Sequence, residues 1–152
     1  MYKLTKKKVK KIQQKGDRTR AKAMRQADDA FSKYVRTRDS QDYYGKAFKC
    51  ISCGRVLPIE QADCGHYINR RHMATRFSEE NCHAQCRACN RFDEGNIYNY
   101  RKALYEKLGE NDLLVLEAAK HKTLKLSTFE LEEIARTYKK LTSQFAYQID
   151  RT

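Results

Sequence analysis

The sequence predicts an α+β fold, with helices on both sides of a short cysteine-rich β region. Both ends of the chain repeat apolar residues every three or four positions, as amphipathic helices do. The middle, residues 43–90, instead has short segments rich in Cys, Gly and aromatic residues. With 152 residues, 40% of them hydrophobic, the chain has the size of one domain with its own core.

The first predicted helix covers residues 20–38. Its apolar residues fall on one face and are Ala23, Ala27, Ala30, Phe31, Tyr34 and Val35. In the middle region, turn signals at Gly54-Arg55 and at Pro58 predict a small β-hairpin unit.

Helical spacing resumes after Asn96. The string Ser127-Thr128-Phe129-Glu130 is a capping box, so we expect the last helix to begin there. Its apolar stripe is assigned to the core, and three tyrosines are assigned to packing rather than to base stacking: Tyr67, Tyr98 and Tyr100.

Positive charge is concentrated at the N-terminus. The chain has 32 Lys and Arg against 19 Asp and Glu, a formal net charge of +13, and eleven of the basic residues lie within residues 1–25. We predict a flexible basic arm over residues 1–18 and one folded domain over residues 19–152. Such an arm binds nucleic-acid phosphates or is simply a soluble terminus. Its candidate DNA-binding residues are Lys6, Lys7, Lys8, Lys10 and Lys11.

A membrane location is not expected. No apolar run reaches the roughly 20 residues needed to cross a bilayer, and no apolar stretch follows the lysine-rich start as it would in a signal peptide. We expect a cytoplasmic protein without a membrane partner.

Four of the six cysteines form two CxxC pairs, Cys50/Cys53 and Cys86/Cys89. Two such pairs supply four thiolates for one tetrahedral Zn²⁺. Disulfides are the weaker interpretation, because cytosolic thiols stay reduced. Cys64 and Cys82 lie outside this pattern and are interpreted as small buried hydrophobic residues with free thiols.

The residues between and after the CxxC pairs carry a second pattern. His66 is followed by Asn81 and then by Asn90, which comes directly after the last cysteine. This arrangement resembles the HNH, or ββα-metal, nuclease motif, also called the His-Me finger. The resemblance implies that a His ends the first strand, that Asn81 orders the connecting loop, and that Asn90 holds one divalent metal ion.

A longer string sharpens the resemblance. Its motifs are GHY, TRF, an acidic pair, Asn81, QC, CxxCN and Gly95-Asn96 before a Tyr-rich helix. Together, these motifs are similar to those of the phage NinG family of recombination endonucleases, also called Rap. The similarity covers roughly residues 20–140. It implies a zinc-stapled ββα-metal core flanked by helices, and metal-dependent cleavage of branched DNA such as Holliday junctions and D-loops.

Phosphodiester hydrolysis needs a base, a metal ion and positive groups that hold the backbone. A neutral His66 is a suitable general base, and Asn90 can offer an oxygen to Mg²⁺ or Mn²⁺. For His66, the alternatives are a structural histidine or a zinc ligand. The candidate phosphate-binding residues are Arg70, Arg71 and Arg76, and each of them is also consistent with a solvated surface residue.

One position departs from the nuclease motif. Many HNH nucleases carry a metal-binding Asp directly before the His, where this chain has Gly65, and the nearest acid is Asp63. Residues three apart on a strand point to opposite faces, so we expect Asp63 to reach the metal only through a bulge at Gly65. Otherwise the site uses Asn90 with waters, or recruits Glu79 or His83, for which a purely structural role is the alternative.

Two other classes of function stay open. One is a non-catalytic zinc ribbon that binds DNA or RNA, which would not depend on Mg²⁺ to change its substrate. The other is an HNH nuclease of homing or restriction type, which would prefer one duplex sequence. Symmetric cutting of a four-way junction would suit a homodimer.

Overall fold

The computed structural model describes residues 6–149, with the side chains of residue 10 and residues 13–146. The helices are α1 (Lys6–Arg38), α2 (Met73–Arg76), α3 (Ile97–Leu108), α4 (Glu110–Ala119) and α5 (Thr128–Ile149). The strands are β1 (Ala47–Lys49), β2 (Val56–Pro58), β3 (Ala62–His66) and β4 (Cys82–Cys86). A π-helical turn, Ala88–Phe92, follows β4. The mixture of helices and small antiparallel sheets confirms the predicted α+β class.

Helix α1 is longer than the sequence pattern predicted. It begins at Lys6 instead of residue 20, so residues 6–18, expected in a flexible arm, are helical. This segment is rich in Lys, Arg and Gln, which are good helix formers. Because these residues are polar, they do not produce the apolar periodicity that predicts a helix. Lys10 is exposed, whereas the side chains of Lys6, Lys7, Lys8 and Lys11 lie outside the described residues.

Helices α1 and α5 pack along each other and form the largest contact between elements of the described chain. The contact begins at Ala23, Ala27 and Leu131. It continues through an aromatic cluster in which the ring of Phe31 lies 4.7 Å from that of Tyr138. The apolar stripes of both helices are therefore core, as predicted. At the start of α5, Glu130 and Ser127 form the predicted capping box, with the Glu130 amide donating to the Ser127 hydroxyl.

The β region contains two antiparallel hairpins rather than one. Strand β1 pairs with β2, and β3 pairs with β4. In the second hairpin the pairing is one to one over five residues, from Ala62 opposite Cys86 to His66 opposite Cys82. This register leaves no bulge at Gly65, so the route by which we expect Asp63 to reach a metal ion is absent.

Helices α3 and α4 pack against the loop that follows β3. Tyr100 and Leu104 of α3 meet Leu113 of α4 and Ile68 of the loop in one buried cluster. The Tyr100 hydroxyl donates to the Gly65 carbonyl at 3.0 Å.

The assignment of Tyr98 to packing is wrong, because its side chain is 82% exposed.

Within the part of the chain that the structure describes, no helix combines the length and the hydropathy needed to span a membrane.

Candidate functional site

The loop between β3 and β4 is held by the side chain of Asn81. Its Oδ1 accepts a hydrogen bond from the Ile68 amide at 2.7 Å, and its Nδ2 donates to the carbonyls of Ile68 and Thr75 at 2.9 and 3.0 Å. Asn81 is fully buried. The Asn81 side chain therefore fixes the loop at Ile68 and at Thr75. These contacts are the kind that a loop-ordering residue makes.

His66 is the last residue of β3, and its ring is oriented by the loop. Its Nε2 lies 3.0 Å from the Arg76 carbonyl, which can only accept, so Nε2 carries the proton. A neutral ring then keeps a lone pair on Nδ1. Burial lowers the pKa of His66 and outweighs the opposing effect of the Arg76 and Cys64 carbonyls, so the neutral form is favoured.

Asp63 and Asn90 are in direct contact even though β3 has no bulge. Asn90 Nδ2 donates to Asp63 Oδ2 at 3.0 Å, which leaves the amide oxygen of Asn90 free for another partner. Arg91 also binds Asp63, with Nε 2.7 Å from Oδ2 and Nη2 2.6 Å from Oδ1. Burial opposes ionisation of Asp63, but the hydrogen bonds from Arg91 and Asn90 outweigh it and lower the pKa.

Gly65 is required by a close approach of Gln85. A Cβ at position 65 would overlap the Gln85 Oε1 and lie 2.8 Å from the Gln85 Cβ. The Gln85 side chain is fixed by hydrogen bonds from Nε2 to Ser52 Oγ at 2.7 Å and to the Gly95 carbonyl at 2.5 Å. Its Oε1 is buried without a hydrogen-bond partner among the described residues. Gln85 therefore fills the space in which an Asp side chain at position 65 would have to lie.

His66, Asp63 and Asn90 line one cleft of about 910 Å³ between α1, β3 and the π-helical turn. Its charged walls carry more acids than bases, and these residues are Asp28, Asp29, Asp63, Glu94, Arg70 and Arg91. An acidic cleft attracts cations and repels phosphate. A phosphate group could approach His66 only with a cation or the arginines beside it.

The three candidate phosphate-binding arginines have different surroundings. Arg70 is exposed and lines the cleft, and Arg71 is exposed beside it. Arg76 is tied to α1, because its Nε and Nη2 donate to the two carboxylate oxygens of Asp28 at 2.8 and 2.5 Å. Only Arg70 and Arg71 are therefore available to a ligand without the loss of an ion pair. Asp28 lies 48 residues before Arg76, so no local pattern could have indicated the pair.

His83 and Glu79 are placed away from the cleft. His83 is buried on the face of β4 that meets Tyr100, and burial lowers its pKa to about 3. Glu79 accepts a hydrogen bond from the Tyr34 hydroxyl at 2.6 Å. The contact of His83 fits the structural alternative for that residue.

The four cysteines of the CxxC pairs come together as predicted. Their Sγ atoms all lie within 4.8 Å of one another. The Cys53 and Cys86 sulfurs are 3.9 Å apart, close to the about 3.8 Å between two sulfur ligands of a tetrahedral zinc ion. All six cysteines are free thiols. The cluster can thus hold a metal ion such as zinc.

Hydrogen-bond donors surround this four-cysteine cluster. Arg55 donates to the sulfurs of Cys53 and Cys86 at 3.4 and 3.6 Å, and the Cys86 amide donates to Cys50 Sγ at 3.3 Å. Asn96 Nδ2 lies 3.5 Å from Cys89 Sγ. Although desolvation opposes ionisation, the Arg55 side chain lowers the pKa of Cys53. The donors favour the thiolate form that binds metals, although burial raises the pKa of Cys50 and of Cys89.

The fold and the site together define an α+β protein with a four-cysteine cluster that can hold a metal ion and, separately, a cleft lined by polar residues. The family model described as Bacteriophage Lambda NinG protein matches residues 2–147, and the chain belongs to this family. It is 33% identical to Protein ninG of Salmonella phage P22 over 129 residues, which cover 84% of this chain and 60% of that relative. With Protein ninG of Escherichia phage lambda it shares 33% identity over 109 residues, 71% of this chain and 50% of the relative.

The chain therefore spans about half to three-fifths of the length of the curated relatives it matches. No solved structure is significantly similar to it.

Proposed function

We propose that this NinG-family protein is a metal-dependent DNA endonuclease with an HNH-type site, and that it cuts branched recombination intermediates. The observation that carries the proposal is the shared cleft, where an oriented His66 lies with two oxygen-bearing side chains, Asp63 and Asn90. The β3–loop–β4–turn order around these residues supports the same assignment.

His66 acts as the general base. Its Nε2 proton is held by the Arg76 carbonyl, so Nδ1 is the atom that accepts a proton from water. The water oxygen then bonds to phosphorus while the bond to the leaving sugar oxygen breaks, and that oxygen takes a proton from solvent. The positive charge formed on His66 is stabilised by the carbonyl of Arg76 and by the acidic walls of the cleft.

Asp63 and Asn90 are the residues that would hold the catalytic cation. A carboxylate and an amide oxygen are donors that Mg²⁺ and Mn²⁺ prefer. When bound there, such a cation supplies charge neutralisation for the phosphate and the leaving oxygen. Asp63 is ionised at neutral pH, because its pKa is lowered, and the Asn90 oxygen is not used in the contact with Asp63.

The substrate assignment rests on family membership and on the shape of the protein. Helix α1 extends about 50 Å by its length of 33 residues, and its first half is basic and exposed where described. Basic residues on such a helix bind phosphates without reading sequence. Branched DNA already has an unstacked, flexible backbone, so it costs less to deform at the cleft than linear duplex does.

The test is a cleavage assay on linear duplex, D-loop and four-way junction, with and without Mg²⁺. We expect Mg²⁺-dependent cutting of the branched substrates, and a loss of about 100-fold or more in His66→Ala. His121→Ala, which removes an exposed histidine outside the cleft, serves as the control. Binding of the junction should be unchanged in both variants.

Two results would contradict the proposal. Tight DNA binding without cleavage by the wild-type protein would favour a non-catalytic zinc-ribbon binder. Cutting of one linear sequence in preference to junctions would favour an HNH nuclease of homing or restriction type. Size-exclusion chromatography on the junction complex tests the proposed homodimer.

A further inference from the structure

A second group of potential metal-binding side chains lies on the β3–β4 hairpin, apart from the Asp63–Asn90 pair. Cys64 and His66 are two residues apart on β3, so their side chains share a face. Cys82 pairs directly with His66 across the hairpin and points to that same face. The topology therefore brings two thiols and one imidazole together outside the four-cysteine cluster.

We propose that Cys64, His66 and Cys82, here called the Cys-His-Cys site, bind one thiophilic metal ion such as Zn²⁺. The ligand atoms of the three residues all lie within 4.8 Å of one another. Sulfur and nitrogen ligands of tetrahedral zinc lie about 3.5 to 3.8 Å apart, so closure of the site needs side-chain movements of about 1 Å.

His66 is prepared for this role by the same contact that orients it for catalysis. Its Nε2 donates to the Arg76 carbonyl at 3.0 Å, so a metal ion on Nδ1 would leave that bond intact. Metal-bound histidines commonly donate their other ring N–H to a backbone carbonyl, which fixes the ring. The Cys82 thiol also points to the Arg76 carbonyl, at 3.8 Å.

The site is accessible from the cleft. Cys64 and His66 line the cleft, whereas Cys82 is fully buried. A metal ion can therefore reach the three side chains from the cleft. Binding releases the two thiol protons to solvent, and the resulting two thiolates balance the charge of Zn²⁺.

The Cys-His-Cys site and the Asp63–Asn90 pair should select different metals. Thiolate and imidazole prefer Zn²⁺ over Mg²⁺, whereas carboxylate and amide oxygens prefer Mg²⁺. A metal ion on Nδ1 also removes the lone pair that a general base needs. Inhibition of cleavage by Zn²⁺ is a consequence that rests on the proposed function, but metal binding itself does not.

The experiment measures the metal content of the folded chain after equilibrium dialysis against Zn²⁺, without DNA. We expect about two zinc ions per chain in the wild type, and about one in Cys64→Ala and in Cys82→Ala. His121→Ala is the matched control and should keep both. Replacement of Zn²⁺ by Co²⁺ adds a spectroscopic readout, since thiolate-to-cobalt absorption should fall in the Cys64 variant.

The number of zinc ions per chain distinguishes the possible outcomes. One zinc ion in the wild type, or two that persist in Cys64→Ala, overturns the proposal. Cys64 is half-buried, so its variant decides the question even if Cys82→Ala does not fold. A missing second zinc with normal Mg²⁺-dependent cleavage would refute only the Cys-His-Cys site. If a second zinc ion binds, but the protein with zinc only in the four-cysteine cluster does not cleave in Mg²⁺ either, only the proposed function is refuted.

Discussion

Asp28 on α1 holds the guanidinium of Arg76 through two hydrogen bonds, of 2.8 and 2.5 Å. The backbone carbonyl of the same arginine accepts the Nε2 proton of His66. Through Arg76, the first helix of the chain therefore helps to position a histidine that lies 38 residues later in the sequence.

Asp28→Asn should weaken this positioning. If His66 is the base, kcat should fall about tenfold, equivalent to about 1.4 kcal/mol, because the ring is less well oriented. KM for the junction should stay the same, and Asp28→Glu should restore part of kcat. Asp29→Asn, a neighbouring change in the same cleft, is the control. Equal falls in kcat for both variants would mean that only the charge of the cleft matters.

Arg91 competes with a cation for Asp63. Its side chain contacts both carboxylate oxygens, and it is about half exposed, so the ion pair is screened by water. Arg91→Ala should therefore strengthen Mn²⁺ binding by about threefold to tenfold, as measured by calorimetry without DNA.

Arg87→Ala is the matched control for this measurement, because Arg87 donates to the Glu60 carbonyl and makes no hydrogen bond to Asp63 in the described residues. Weaker Mn²⁺ binding by Arg91→Ala would contradict the placement of the cation at Asp63.

Removal of metal from the four-cysteine cluster should unfold the β region. Cys50 and Cys86 belong to the buried cluster that joins the two hairpins, together with Phe48 and Ala84. We expect about one zinc ion per chain to be released from these ligands by a chelator, with loss of cooperative thermal unfolding. Cys53→Ser should behave like the chelated protein. A disulfide between any two of the four cysteines in the purified protein would disprove this prediction.

Asn81→Ala should destabilise the whole domain. It leaves the amide and carbonyl of Ile68 and the carbonyl of Thr75 without their partner in a buried region. The free energy of unfolding should fall by about 2–4 kcal/mol in urea denaturation. Asn69→Ala is a suitable control, since Asn69 is exposed and its side chain accepts a bond only from the nearby Arg71 amide in the described residues. Similar losses for both variants would argue against a loop-ordering role of Asn81.

The sequence predicted the features that depend on local spacing. The two CxxC pairs, the Ser127–Glu130 cap and the apolar stripes of α1 and α5 all have fixed intervals. The early start of α1 was missed, because residues 6–18 are mostly polar, and Val9 and Ile12 are too few to mark an apolar period.

Contacts between distant segments have no corresponding spacing pattern in the sequence. The Asp28–Arg76 pair and the approach of Gln85 to Gly65 depend on how the elements pack, and neither can be read from a spacing. The cluster of Cys64, His66 and Cys82 depends on the register of β3 against β4. From the sequence, two of these residues were simply free thiols.

The close approach of Gln85 to Gly65 has an evolutionary consequence. With Gln85 in place, any side chain at position 65 would overlap it, so Gly65→Asp alone should be disruptive. An acid could enter position 65 only together with a smaller residue at position 85. Among related sequences, the two positions should therefore covary, with glycine paired with a long side chain and an acid paired with a short one. Such a pattern would record two alternative ways to fill the same space beside the histidine.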